Sequence, residues 1–190
     1  MQMTDAHAGM TNRFTQSELI SVVARLQGFA RSLTRSAERA EDLLQDTIVR
    51  AMASAHQFQA GTNLQAWMST IMRNQNYTNL RKDRVRVRSF GEAGINEPSV
   101  PPNQEINLEF KDFHRAFSQL SDEHREALTL IGAEGLSYAA AATVCKCPVG
   151  TMKSRVSRGR LQLRWLLDRS TPGDRPFVPQ HVADRPHQEI

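Results

Sequence analysis

Apolar residues recur at helical spacing along most of this chain. Leu19, Val22, Val23, Leu26, Phe29, Ala30 and Leu33 predict a first helix over residues 15–33. A polar break at 34–36 follows. Ser36 suits the N-cap of a second helix, with Glu38 and Glu41 favourable in its opening turns. That helix would bury Ala40, Leu43, Leu44, Ile48, Ala51 and Ala55. Gly61 marks a turn, after which the pattern predicts a third helix over 64–73 and a fourth over 76–88. The periodicity then lapses. Residues 89–107 hold Gly91, Gly94, Pro98, Pro101 and Pro102 and few large apolar side chains, the composition of a linker. It resumes with Phe110, Phe113, Phe117 and Leu120, then Ala127, Leu128 and Ile131, with Ser121 as an N-cap.

From Gly135 the stretch GLSYAAAATVCKCPVGTMKSRVSRGRLQL reads as two short helices joined by a tight turn near Lys146. Ser137 would cap the first, and Pro148 suits the first position of the second. Val149, Met152, Val156, Leu163 and Leu166 share one side, and Gly159 beside them permits close packing. Lys153, Ser154, Ser157 and Arg158 project from the other side, where basic and hydroxyl groups can bond phosphates and base edges. Arg155, Arg160 and Arg164 suit phosphates or salt bridges within the protein. The layout is that of a helix-turn-helix whose second helix enters a DNA major groove.

These 190 residues therefore predict an all-α fold of two small helical modules joined by a flexible linker. The modules would occupy 14–88 and 108–168, with disordered ends at 1–13 and 169–190; the second end carries Pro172, Pro176, Pro179 and Pro186. The composition, 39% hydrophobic and only 6% aromatic, fits helix better than sheet. A net charge of +4 is a weak signal by itself. Its distribution matters more: Arg73, Arg81, Lys82, Arg84, Arg86 and Arg88 form one cluster, and the basic residues from Lys146 to Arg169 form another. No run is apolar enough to span a bilayer and no signal peptide opens the chain, so a cytoplasmic protein without membrane attachment is expected. Cys145 and Cys147 are poorly spaced to pair and have no further ligands at metal-binding spacing. No catalytic constellation stands out, so neither an enzyme nor a metal or cofactor is expected.

Asp42, Gln45 and Asp46 share an exposed side of the second helix, opposite Leu43, Leu44 and Ile48. A solvated surface accounts for them; so does a protein partner that presents a basic helix. Further on, WMSTIMRNQNYTNLRKDRVRVR sets amides and aromatics among arginines. Amides can read an exposed base edge, rings can stack and arginines can hold a backbone, which suits single-stranded DNA. Trp67 reads as core, because Ile71 lies four residues on, and Asn74 could equally cap a helix.

DLLQDTIVRA, FQAGTNLQAWMSTIMRN, LSDEHREALTLIGAEGLSY and CPVGTMKSRVSRGR resemble consecutive regions of an extracytoplasmic-function sigma factor, in order, across nearly all of Leu19 to Leu167. The pairing of GTNLQAW with ALTLIGAEGLSY and VGTMKSRVSR most resembles the general stress-response (EcfG-type) branch. The resemblance implies a first module that docks on the β′ clamp helices of RNA polymerase through Asp42, Gln45 and Asp46. It implies that Asn74 captures a −10 base and that Arg81, Lys82, Arg84 and Arg86 line the DNA. It implies −35 reading by Lys153, Ser154, Ser157 and Arg158, and contact of the second module with the β flap. The implied partners are core polymerase, promoter DNA and a NepR-type anti-sigma factor.

A linker of about 19 residues reaches at most roughly 60–65 Å, or about 18 base pairs, enough to join two promoter elements. Two departures stand out. Ala139 and Ala140 occupy positions where many relatives carry acidic residues, so no capping box with Ser137 can form. Ser157 replaces a larger side chain of some relatives. The rival of a different class is a partner-switch protein that mimics a sigma factor and binds an anti-sigma factor without initiating transcription. The basic recognition helix argues against it. A conventional helix-turn-helix repressor would not need the acidic face or the Trp67–Arg88 segment.

Overall fold

The computed structural model describes residues 13–90 and 108–170, with side chains for 13–85 and 110–169. Residues 1–12 and 171–190 of the expected disordered ends and 91–107 of the expected linker lie outside the described residues; Arg169 and Ser170, expected in the disordered end, belong to the last helix. The first three helices are α1 (Gln16–Thr34), α2 (Ala37–Ala53) and α3 (Leu64–Phe90), with a short 3-10 turn at Ala55–Gln57. Thr15 starts α1 with a capping box: its hydroxyl accepts from the Glu18 N–H, and the Glu18 carboxylate accepts from the Thr15 N–H. The chain leaves α1 through Arg35 in the left-handed region (φ 58°) and enters α2 at Ser36, the expected N-cap. Asn63 caps α3, its Oδ1 accepting from the Ala66 N–H at 2.9 Å.

The break expected between residues 73 and 76 does not occur; α3 is continuous and runs past residue 88. The polar residues there look like an interruption in the sequence. Gln75 and Asn76 are in fact buried. Gln75 Nε2 donates to Asp46 Oδ2 at 3.4 Å and to Asn79 Oδ1 at 3.2 Å, so that amide enters the packed face with partners.

The second set comprises α4 (Leu108–Ser118), α5 (Asp122–Leu128), α6 (Tyr138–Cys145) and α7 (Val149–Ser170). Ser121 and Ser137 cap α5 and α6 as expected. Pro148 stands just before α7 rather than inside it, its carbonyl accepting from the Met152 N–H. Phe110 and Phe113, which belong to the apolar periodicity, are 51% and 39% exposed, while Ala116 and Leu120 are buried. α4 packs along α7, and that neighbour leaves part of its apolar face open. Phe113 stacks on Phe117 instead (ring centroids 5.5 Å apart).

α1, α2 and α3 pack against one another, and α4, α5 and α6 pack on α7. The two sets also pack together: α6 lies on α3, while α5 and a π-helical turn at Thr129–Ala133 lie against α1. One hydrophobic core runs through both, joining Leu26, Phe29, Met68 and Met72 to Leu130, Leu136, Val144 and Met152.

Candidate functional site

α2 presents Asp42, Gln45 and Asp46 on its exposed side, while Leu43 and Thr47 fill the opposite side. Asp46 takes the Gln75 amide described above, which ties this acidic face to α3. Asp42 lines an open cleft of about 250 Å³ between the two helices, with Arg39, Asn76, Lys82 and Asp83. Arg39 pairs with Asp83 across it at 3.5 Å.

Asn74 is exposed in the middle of α3, so it caps no helix end; its backbone carbonyl accepts from Thr78 Oγ1 at 2.9 Å. With 3.6 residues per turn, Asn74, Arg81 and Arg84 lie towards one side of α3. Lys82 diverges towards the α2 cleft. Arg81, Lys82 and Arg84 are exposed, whereas the side chain of Arg86 lies outside the described residues. Trp67 is half-buried in a cluster with Phe14 and Phe58, 6.3 and 5.2 Å away between ring centroids, so it packs rather than offering a free stacking face.

On α7, Lys153, Ser154, Ser157 and Arg158 are all exposed above buried Met152 and Val156. Ser154 Oγ donates to Gly150 O at 3.0 Å, which leaves its lone pairs outward. Arg155 is withdrawn from this face by an ion pair with Glu123 at 2.9 Å. Gly159 faces α5 so closely that an added Cβ would stand 3.2 Å from His124 and Leu128. The turn before α7 uses Lys146 in the left-handed region (φ 52°). Cys145 is buried, and burial first, then the nearby Glu126 charge, pushes its thiol up to about 12, where it stays protonated and unreactive. Val149, expected on the buried side, is exposed.

Sequence reasoning missed the polar seam where the two sets of helices meet. Arg125, Glu126 and Glu134 are 4, 4 and 3% exposed there. Arg125 Nε donates to Ser32 O at 2.7 Å, Nη1 donates to Leu120 O at 3.0 Å, and Nη2 pairs with Asp122. Asp122 also pairs with Arg35 at 2.9 Å. Burial works to raise the Asp122 carboxyl, but the two guanidinium groups outweigh it and hold it below the usual range. Gln65 Nε2 donates to both the backbone O and Oε2 of Glu134 at 2.9 Å. Burial nonetheless pushes Glu134 above the usual carboxylate range, against the pull of Gln65 and Arg25. Arg73 Nε donates to Glu126 Oε2 at 2.9 Å, and Tyr77 OH donates to Glu126 Oε1 at 3.3 Å. The available signal was a charged residue set inside the apolar stretch LIGAEGL. Among the described residues no cluster fit to hold a metal occurs, and no helix is long and apolar enough to cross a membrane.

Residues 21–86 match the Sigma-70 region 2 family and residues 110–163 match Sigma-70, region 4. The chain is 43% identical to the ECF RNA polymerase sigma factor EcfG of Rhodopseudomonas palustris, over 80% of this chain and 84% of that protein. It is 36% identical to a probable RNA polymerase sigma-C factor of Mycobacterium bovis, over 64% of this chain and 66% of the other. Among solved structures it resembles the sigma factor RpoE of Bartonella quintana, co-crystallised with the anti-sigma factor NepR. The TM-score is 0.74 at 43% identity, covering 80% of this chain and 96% of that one. Two helical sets carrying an acidic face, an amide-and-arginine helix and a helix-turn-helix, in this order and with these relatives, make the chain a member of the extracytoplasmic-function sigma factors, the proteins that direct RNA polymerase to promoters.

Proposed function

We propose that Asp42, Gln45 and Asp46 dock the chain on the β′ clamp helices of core RNA polymerase, that Asn74 captures an unpaired −10 base, and that Lys153, Ser154, Ser157 and Arg158 read the −35 element. Arg81, Lys82, Arg84 and Arg86 hold the opened strand. In this reading residues 14–88 act as region 2, 89–107 as the linker and 108–168 as region 4, which also meets the β flap. The observation that supports it most is the exposure of a distinct basic or amide face on each of two helices, α3 and α7, of one chain. In this reading the chain supplies specificity and strand capture while the polymerase supplies the chemistry. The partner inhibitor is a NepR-type anti-sigma factor, by likeness to the Bartonella quintana complex. The setting is a general stress response in the cytoplasm, by likeness to the EcfG relative.

Run-off transcription with purified bacterial core polymerase, on a library of randomised −35 and −10 elements, tests the reading. A two-part motif among polymerase-dependent transcripts is expected. A folded chain that binds core yet yields no transcript would leave the sigma-mimicking partner switch as the better description.

A further inference from the structure

Arg73 and Tyr77 lie one helical turn apart on α3, with the guanidinium carbon 4.6 Å from the ring centroid and Arg73 Nη2 donating to Tyr77 OH at 3.2 Å. By the helical period they continue the strip that carries Arg81 and Arg84, next to Asn74. Tyr77 is still 45% exposed although the Arg73 guanidinium lies over its ring. An arginine against an outward ring is the pairing that holds a nucleotide, with base on ring and phosphate on guanidinium. In this structure the anion is supplied by the protein. Glu126, from α5 of the other helical set, places one oxygen on Arg73 and the other on Tyr77. Desolvation works against the Arg73 charge, but the charge and hydrogen bond of Glu126, with smaller contributions from Tyr77 and Cys145, together strengthen that guanidinium's hold on its proton.

We propose that Arg73 and Tyr77 form a nucleotide-binding cradle for the opened promoter strand, and that Glu126 occupies it in place of a phosphate, so that strand capture and closure of the two modules exclude each other. The inference rests on the reading of α3 as the strand-binding helix. A carboxylate and a phosphate oxygen accept the same charge-assisted hydrogen bonds, so the two anions compete for one set of donors. Region 4 must leave region 2 before the strand enters. Glu126 then meets water, and the donors it releases are taken by the strand. The apparent affinity for single-stranded DNA is accordingly the intrinsic affinity scaled by the fraction of open chains.

The test uses the full chain, X-ray scattering for compactness, and fluorescence anisotropy with a labelled random-sequence single-stranded 15-mer. Glu126→Gln and Glu126→Ala are compared with Glu41→Ala, which makes the same charge change at an exposed position of α2. The expected result is that Glu126→Ala expands the chain and tightens strand binding about fivefold or more over Glu41→Ala. Glu126→Gln, which keeps an acceptor, should lie between. Adding Tyr77→Ala to Glu126→Ala should leave the chain expanded and abolish the gain. Expansion without a gain makes Glu126 a structural brace and overturns the proposal. A compact Glu126→Ala chain, or a gain that survives Tyr77→Ala, overturns it as well. Run-off transcription by the unaltered chain is scored separately: its failure sinks the sigma-factor roles of α3, whereas its success with no Tyr77 effect sinks this inference alone.

Discussion

Arg125 illustrates how one side chain can close two elements at once. Ser32 lies in the last turn of α1, where carbonyls have no partner within the helix. Arg125 Nε supplies one, and its charge suits the negative end of that helix. Burial lowers the pKa of this guanidinium, yet Asp122 and the two carbonyls keep it satisfied. Arg125→Ala should therefore destabilise the chain by about 3 kcal/mol, because it leaves buried acceptors unpaired. The urea midpoint reads this, and a change under about 0.5 kcal/mol would mean that water takes over both carbonyls. Asn74 has the opposite character, exposed and without a structural bond through its side chain in the described structure. Asn74→Ala should leave stability and polymerase binding near the original values while impairing promoter opening. Equal losses in a pull-down and a permanganate footprint would contradict the base-capture role.

At the scale of elements, α3 and α7 carry the candidate contacts, and each is held in place by its buried side. Gly159 lets α7 approach α5, with His124 and Leu128 3.2 Å from where a Cβ would stand. Gly159→Val should cost about 1–3 kcal/mol by overpacking. Thermal unfolding would register it, and an unchanged transition would show that α7 can shift outward freely. The outer side of α7 is separable from this packing. Lys153→Ala with Arg158→Ala should weaken recognition of an intact −35 element while leaving unfolding unchanged. Equal transcription by the double variant and the unaltered chain from such a promoter would argue against −35 reading there. α3 also marks where pattern reading failed. Gln75 and Asn76 look like an interruption in a list of residues, but the α2 surface gives Gln75 a carboxylate partner. A polar residue in sequence carries no record of whether a partner waits across a helix interface.

The whole molecule adds what neither module holds alone, a buried polar seam. Gln65 lies in GTNLQAW and Glu134 in ALTLIGAEGLSY, two of the segments that carried the family resemblance, and the fold bonds them to each other. Glu134 also predicts a pH dependence. Burial raises its pKa above 4.5, so its ionisation disfavours the folded, closed state. Its contribution to stability therefore falls as pH rises from the ordinary glutamate range through the raised value, and is level above that. Asp122 works in the opposite direction: its contribution is present above about 3.8 and is lost as pH falls through its lowered value. Glu134→Gln isolates the first effect. Unfolding free energy of the original chain minus that of the variant should decline over the Glu134 window. A difference that rises with pH there would mean that Arg25 and Gln65 outweigh desolvation.

Much of this protein is determined by the sequence alone. Periodicity and caps set the positions of α1, α2, α5 and α6, because hydrophobic spacing and N-cap chemistry act within a few residues of chain. The outward sides of α2 and α7 were legible for the same reason, since a helix fixes which residues share a face. The tertiary structure alone decided the rest. The unbroken α3, the exposure of Phe110 and Phe113, and the burial of Arg125, Glu126 and Glu134 all depend on which surface lies opposite. Residues far apart in the chain meet at that seam, and whether a charge there is exposed or paired depends on a partner that local sequence does not name.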